Sequence, residues 1–159
     1  MSAASIRLQL ADAAATEAIG ARLALALGGC AGLVVFLHGD LGAGKTTLVR
    51  GWLRQLGATG AIRSPTYTLV EPYELAGRNL LHLDLYRLSD AAELEQLGVY
   101  DTPPESSVWL VEWPERGTGQ LPRPDLSIFL QVAAAGREIR LEANPALVPV
   151  LTAAGLFPC

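Results

Sequence analysis

Leu33-Val34-Val35-Phe36-Leu37, followed after His38 by Gly39-Asp40-Leu41-Gly42-Ala43-Gly44-Lys45-Thr46, is the stretch from which the fold is predicted. The continuous apolar run is typical of a buried parallel strand. The segment from 39 to 46 satisfies Gly-x4-Gly-Lys-Thr, the phosphate-binding loop pattern, which connects a strand to a helix. A helix is expected from about Lys45 to Leu56, ended by Gly57. The stretch therefore predicts a nucleoside triphosphate site.

Each part of this loop has a separate physical role. Glycines at 39, 42 and 44 allow positive φ and a close approach of the backbone to a ligand. Backbone N–H groups and the helix N-terminus then face phosphate oxygens. Lys45, the only lysine in the chain, is expected to reach the β- and γ-phosphates, and the Thr46 hydroxyl to ligate Mg²⁺. The predicted nucleotide-binding residues of the loop are Leu41, Gly42, Ala43, Gly44, Lys45, Thr46 and Thr47.

Two carboxylates are candidates for the acidic partner of the magnesium ion. Asp84 lies in Leu81-His82-Leu83-Asp84-Leu85-Tyr86, where the leucines share one face of a strand and His82, Asp84 and Tyr86 the other. Glu112 ends the apolar run Val108-Trp109-Leu110-Val111, and ligands collect at the carboxyl ends of such strands. We expect Asp84, Glu112 and Lys45 to be catalytic; the residues leave open which carboxylate contacts the metal.

The pattern along the chain predicts an α/β fold. Strands alternate with helices at first and hairpins follow, so we expect residues 1–159 to form a single P-loop NTPase-like domain, with a mixed parallel and antiparallel sheet flanked by helices. Asp12 is predicted to cap a helix that reaches about Leu27. Further predictions are a turn at Gly77-Arg78-Asn79, a short helix over Asp90–Leu97, a hairpin around Ala135-Gly136 and a closing helix over Ala146–Leu156.

Composition restricts the function classes. The formal net charge of −4 argues against an independent grip on nucleic acid. The chain contains no uninterrupted apolar run of about 18 residues, so no membrane span is predicted. Met1–Ser5 lack the basic start and apolar run of a signal peptide, so a cytoplasmic protein is expected. Cys30 and Cys159 form neither a disulfide framework nor a metal quartet.

Four motifs occur in series and carry a resemblance to one family. They are Gly39–Thr47, Ser64-Pro65-Thr66-Tyr67-Thr68-Leu69-Val70, His82-Leu83-Asp84-Leu85-Tyr86-Arg87-Leu88, and Glu112-Trp113-Pro114-Glu115-Arg116. Together they resemble the TsaE family, formerly YjeE, the bacterial ATPases of tRNA threonylcarbamoyladenosine synthesis. The resemblance runs from the first strand to about Ala143, and the tail beyond is not diagnostic.

The resemblance implies binding of ATP or ADP with Mg²⁺ and slow hydrolysis of ATP by the chain alone. It implies partners, TsaD, which transfers the threonylcarbamoyl group, and TsaB, which pairs with TsaD; tRNA is met through that complex.

The resemblance also implies roles for particular residues. Glu112 corresponds to a magnesium-linked glutamate, Asp84 to an essential aspartate near the γ-phosphate, and Trp113 to a functional tryptophan beside the site. Thr66 belongs to a switch-like loop. The segment Asp12–Thr16 corresponds to a region near the adenine, and Arg137 to a late nucleotide contact.

Three other functions are compatible with a phosphate-binding loop. A small-molecule or nucleoside kinase usually carries an arginine-bearing lid, and here the proline-rich region after Glu112 offers only Arg116 and Arg123 without a clear lid helix. A GTPase needs a lysine in its guanine-reading motif, and Lys45 is already used. A module that binds nucleotide without hydrolysis would not require Thr46, Asp84 and Glu112 together.

Two other groups of polar residues are interpreted more simply. Arg50 and Arg54 share a helix face and, with Arg63, could meet a partner or tRNA, but a solvated face is favoured. His38 and His82 adjoin the site without a zinc-type spacing, so packing or hydrogen-bonding roles are expected.

Overall fold

Seven strands form one sheet in the computed structural model, which describes residues 4–159. Their order across the sheet is β1-β7-β6-β2-β5-β4-β3. The strands are β1 (Ala4–Leu10), β2 (Leu33–His38), β3 (Val70–Leu75), β4 (Arg78–Asp84), β5 (Val108–Glu112), β6 (Leu126–Ala133) and β7 (Gly136–Ala143). The helices are α1 (Ala13–Ala26), α2 (Lys45–Gln55), α3 (Glu93–Gln96) and α4 (Val148–Ala153).

The centre of the sheet is parallel and its margins are antiparallel. β2 pairs in parallel with β5 and with β6, and β4 pairs in parallel with β5. β1 and β3 are added at the two edges as antiparallel strands, and β7 lies between β1 and β6. The predicted α/β fold with a mixed sheet is confirmed. The parallel centre also brings the carboxyl ends of β2, β4 and β5 to one edge of the sheet.

Both faces of the central strands are buried, and different segments cover them. On one face, Leu33, Val35 and Leu110 belong to the main core with apolar residues of α1, α2 and α4. On the other, Trp109 and Val111 belong to a second cluster, which includes Leu85, Leu88, Leu94 and Val99 from the segment between β4 and β5. Such two-sided burial explains the continuous apolar runs of β2 and β5.

Asp12 begins α1 as predicted. Its backbone is extended and its Oδ1 accepts a hydrogen bond from the Ala15 amide at 2.9 Å. This satisfies one of the amide groups that a helix N-terminus leaves without a partner. The helix ends at Ala26, one residue before its predicted end at about Leu27.

The first hairpin turn lies one to two residues earlier than the predicted Gly77-Arg78-Asn79, so that prediction is wrong in its position. Ala76 and Gly77 form the turn, with φ of 52° and 75°. Two successive residues of positive φ make a tight hairpin turn whose twist matches that of the flanking strands. Arg78 and Asn79 therefore already pair with Leu75 and Glu74 in the ladder.

Three other boundaries differ from the predictions. The acidic helix is only the single turn α3, and the closing helix is only α4. The second hairpin is present, but its turn is Ala134-Ala135, because Gly136 already pairs with Ala133 as part of β7.

Within residues 4–159, no helix is both long enough and apolar enough to cross a membrane. The expectation drawn from Met1–Ser5 rests mainly on residues 1–3, which lie outside the described part of the chain.

Two glycines let α1 and α2 cross with their backbones in contact. A Cβ atom on Gly20 would lie 2.1 Å from the carbonyl oxygen of Leu48, and one on Gly51 would lie 2.0 Å from that of Glu17. No side chain can be accommodated at such distances without moving a helix. Because α2 begins directly at the end of the phosphate-binding loop, this crossing also fixes the position of Lys45.

Gly51→Ala should therefore destabilise the protein. The methyl group would meet backbone rather than a flexible side chain, and overpacking of this kind costs about 1–3 kcal/mol. In a chain of this size each kcal/mol lowers the midpoint of thermal unfolding by about 2–4 °C. Thermal unfolding measures the shift. Gly29→Ala is the matched control, since a Cβ there meets nothing within 4 Å. Equal midpoints for the two variants would contradict the crossing.

Candidate nucleotide site

A cavity of about 410 Å³ lies at the edge of the sheet where β2, β4 and β5 end. It extends over the loop between β2 and α2 toward the start of α1 and the hairpin β6–β7. Its lining residues are Ala11, Asp12, Ala13, Thr16, Asp40, Leu41, Gly42, Ala43, Gly44, Lys45, Thr46, Thr47, Ser64, Thr66, Asp84, Glu112, Trp113, Gly136 and Arg137. The fold thus brings the loop from Leu41 to Thr47, Asp84, Glu112, Trp113 and Arg137 to this one cavity.

The loop from Gly39 to Gly44 has the backbone that the glycine spacing predicted. Gly39, Gly42 and Gly44 have φ of 151°, 78° and 113°. At Gly39 the requirement is also steric, because a Cβ would lie 2.6 Å from the carbonyl oxygen of Leu130. Gly44 precedes α2 without a side-chain cap, so no side chain competes for the first amide groups of the helix. Such an N-terminus binds anions.

Arg137 reaches from β7 to the outside of this loop. Its Nε donates to the carbonyl oxygen of Ala43 at 3.1 Å, and its Nη2 to that of Gly42 at 3.3 Å. Each peptide unit is planar, so fixing a carbonyl also fixes the direction of the amide group that follows it. Arg137 lines the cavity, and its guanidinium holds the peptide groups on both sides of Ala43; its contact with a nucleotide stays a prediction.

Lys45 is buried, and its surroundings shift the pKa of its ammonium group in opposite directions. Its Nζ donates to the carbonyl oxygens of Gly39 and, at 3.1 Å, of Asp40, and lies 4.1 Å from the centre of the Trp113 ring. Burial lowers the pKa of the ammonium group, and the negative charges of Glu112 and Asp84 oppose this lowering. The side chain is therefore held at the loop by carbonyl and π contacts that a phosphate group could replace.

Glu112 and Asp84 are buried, with exposed fractions of 2% and 6%, and their partners differ. Glu112 Oε1 and Oε2 accept from the Thr46 hydroxyl at 3.0 and 3.2 Å. Asp84 accepts from the Ser64 hydroxyl and, at 3.0 Å, from the Tyr86 amide. Neither is a solvated carboxylate at a strand end. Glu112 contacts the predicted metal-binding hydroxyl of Thr46, whereas Asp84 contacts the hydroxyl of Ser64.

These groups fit a magnesium ion bound together with a triphosphate. Within residues 4–159, no cluster of three or more His, Cys, Asp or Glu side chains could hold a metal ion. Mg²⁺ does not require one, because it takes most of its oxygen ligands from water and substrate phosphates and only one or two from the protein. The Thr46 hydroxyl and the Glu112 carboxylate supply hard oxygen donors at the start of α2.

The sequence predicted a packing or hydrogen-bonding role for His82 but not its partner, Glu112. The side chain is fully buried, and its Nε2 lies 2.6 Å from Glu112 Oε2. The signal was available, because alternation along β4 places His82 on the same strand face as Asp84. His38 instead stacks on Phe129 with ring centres 4.4 Å apart, and burial lowers its pKa.

The arginines of α2 face a carboxylate of the neighbouring helix α1. Arg50 forms an ion pair with Glu17 of α1 at 3.2 Å, and Arg54 approaches the same carboxylate at 4.0 Å. Arg50 and Glu17 are half-buried and Arg54 is exposed, and ion pairs that water reaches in this way contribute little to stability. They favour the interpretation of this helix face as a solvated surface.

Comparison with known proteins identifies relatives over most of the chain. A family model described as "Threonylcarbamoyl adenosine biosynthesis protein TsaE" matches residues 10–139. The tRNA threonylcarbamoyladenosine biosynthesis protein TsaE of Haemophilus influenzae is 48% identical over 112 residues, which cover 70% of this chain and 71% of the relative. The protein of the same name from Bacillus subtilis is 41% identical over 113 residues, 70% of each chain.

A solved structure resembles the whole fold. The crystal structure of Bacillus subtilis YdiB superposes with a TM-score of 0.75 at 29% sequence identity, covering 98% of this chain and 97% of that one. The similarity includes the α/β architecture and extends into the tail beyond Ala143 that had carried no family signal.

Arg137→Ala should weaken binding of ATP about tenfold. It removes two hydrogen bonds to the loop, each with a net contribution of about 0.5–1.5 kcal/mol, and 1.4 kcal/mol corresponds to about a factor of ten. Titration with a fluorescent ATP analogue measures the change. Arg140→Ala is the control on the same strand, because its guanidinium lies over Phe129 and bonds Glu142. Wild-type affinity in Arg137→Ala would refute the bracing role.

Proposed function

The chain belongs to the TsaE family and thus to the proteins of tRNA threonylcarbamoyladenosine biosynthesis, and from this premise we propose that it acts there as a magnesium-dependent ATPase. The observation that carries the proposal is the contact of Thr46 with the buried carboxylate of Glu112 at the end of the phosphate-binding loop. A loop that only held a nucleotide would not require a buried carboxylate beside its hydroxyl.

The residues of the cavity divide the work of binding. Backbone amides from Leu41 to Thr47 surround the phosphates, and Lys45 exchanges its carbonyl contacts for the β- and γ-phosphates. Thr46 and Glu112 would hold the magnesium ion, which when bound would neutralise part of the negative charge of the triphosphate. Asp12, Thr16 and Arg137 also line the cavity, and on this proposal Asp12–Thr16 lies near the base of ATP or ADP while Arg137 contacts the nucleotide.

Hydrolysis additionally requires a group that orients water. Asp84 is the candidate, because it lies across the β4–β5 ladder from Glu112 and its carboxylate is already held by Ser64 and Tyr86. On this proposal Asp84 accepts a hydrogen bond from the attacking water near the γ-phosphate. Thr66, which also lines the cavity, belongs to the segment that would respond to that phosphate.

Partner proteins are part of the proposal. We infer that the chain hydrolyses ATP weakly alone and acts with TsaD and TsaB in the cytoplasm, meeting tRNA through that complex. Two exposed residues near the cavity-lining Thr66 support a partner contact. Tyr67 is 84% exposed and carries the Arg87 guanidinium at 4.9 Å from its ring centre. Exposed tyrosine and arginine are enriched in protein interfaces.

The small-molecule or nucleoside kinase is the second candidate, and the chain segment after β5 disfavours it. Between β5 and β6 the structure has a single 3-10 turn, Pro114–Gly117, and then irregular backbone. Arg116 lies over the Tyr86 ring at 5.7 Å. A kinase lid would carry an arginine on a helix that can close over the transferred phosphate, and no such helix is present in this segment.

Variants of the three proposed catalytic residues should separate binding from turnover. Lys45→Ala should abolish ATP binding measured by calorimetry, because the loop loses its cation. Asp84→Ala and Glu112→Ala should still bind ATP but lower phosphate release about a hundredfold, measured with TsaB and TsaD present. Glu74→Ala, an exposed carboxylate of β3, is the control. Unchanged turnover in both carboxylate variants would exclude their catalytic roles.

A reconstituted modification reaction tests the function as a whole. A mixture lacking only this chain should form no threonylcarbamoyladenosine on tRNA, and adding the wild type, but not Lys45→Ala, should restore it. The product is measured by mass spectrometry of digested tRNA. Robust transfer of phosphate from ATP to nucleosides, without restored modification, would favour the kinase.

A further inference from the structure

His82 is a buried polar residue with no assigned role in nucleotide binding or hydrolysis. It lies in the middle of β4, is fully buried, and shares a strand face with Asp84. Its ladder partner in β5 is Leu110, so Glu112 is its diagonal neighbour two residues further along. Diagonal neighbours in a sheet are within reach of long side chains, and Nε2 of His82 lies 2.6 Å from Oε2 of Glu112.

The surroundings of the other ring nitrogen of His82 indicate which of the two nitrogens carries the proton. Nδ1 is buried and has no hydrogen-bond partner in the part of the chain that the structure describes. A proton on Nδ1 would therefore have no acceptor, whereas a proton on Nε2 meets a carboxylate oxygen. In a neutral imidazole one nitrogen carries the proton, so the surroundings select the form in which His82 donates to Glu112.

A purely structural role does not account for this residue. Buried polar atoms are nearly always paired, and an unpaired one lowers stability. An apolar side chain would fill the same position in the sheet without leaving Nδ1 unsatisfied. Only a side chain with a donor at the position of Nε2 can make the hydrogen bond to Glu112.

We propose that His82 is a positioning residue, which holds the Glu112 carboxylate so that Thr46 can present its hydroxyl oxygen to the magnesium ion. The inference rests on the proposed function. A hydroxyl has one hydrogen and two lone pairs. When Thr46 donates its hydrogen to Glu112, its lone pairs are left for the cation. His82 fixes Oε2, and thereby keeps Oε1 facing Thr46 at 3.0 Å.

Two amide substitutions distinguish positioning from packing. The Nε2 of glutamine occupies nearly the place of the histidine Nε2, whereas the Nδ2 of asparagine occupies that of Nδ1. His82→Gln therefore keeps the donor toward Glu112, and His82→Asn loses it while remaining polar. His82→Leu, which has similar bulk and no donor, is a second loss variant should the asparagine protein fail to fold.

The readout is the effect of magnesium on ATP affinity, measured by calorimetry with excess Mg²⁺ and again with EDTA. His82→Gln should keep the wild-type strengthening by Mg²⁺. His82→Asn and His82→Leu should lose about tenfold of it, as is typical when a residue that orients a metal ligand is removed. Affinity in EDTA should be the same for all, because the loop, Lys45 and the glycines are untouched.

Three results would overturn the inference. If the loss variants retain the wild-type effect of Mg²⁺, His82 does not position Glu112. If His82→Gln is as impaired as His82→Asn, the requirement is for the ring and not for the donor. If the wild type binds ATP without any effect of Mg²⁺, or does not bind ATP, the proposed function fails and the inference fails with it.

Discussion

The hydrogen bond between Thr46 and Glu112 is the interaction on which the rest of the site depends. It joins the first turn of α2 to the end of β5, so the phosphate-binding loop and the acidic strand end become one unit. The contact exists because β2 and β5 are parallel neighbours and end at the same edge of the sheet. Had either strand run in the opposite direction, loop and carboxylate would lie at opposite edges.

The packing of the helices transmits this arrangement to the loop. α2 lies against α1 at a backbone-to-backbone crossing made possible by Gly20 and Gly51, and its N-terminus cannot shift without disturbing the core. Arg137 holds the loop from the other side through its carbonyl oxygens. A phosphate-binding loop must place amide groups before the ligand arrives, since reordering them on binding would cost affinity. Core and hairpin together provide that preorganisation.

Burial gives the polar groups of the site their specificity. Lys45, Asp84 and Glu112 are all buried, where charges interact more strongly than in water and an unpaired charge is costly. Each one accordingly has a partner: carbonyl oxygens and the Trp113 ring for Lys45, Ser64 and the Tyr86 amide for Asp84, Thr46 and His82 for Glu112. No charge of these three side chains is therefore left unpaired in the buried site.

The sequence by itself determined the loop, the two strands that deliver Asp84 and Glu112, the cap at Asp12 and the mixed sheet, because glycine spacing, apolar runs and capping residues act locally. It placed the first hairpin turn one to two residues too late, since the positive φ of Ala76 has no residue-type signal. Only the tertiary structure decided that Glu112 rather than Asp84 lies beside Thr46 and that His82 contacts Glu112. Those contacts join β4, β5 and α2, and their distances depend on strand order and register, which no local pattern encodes.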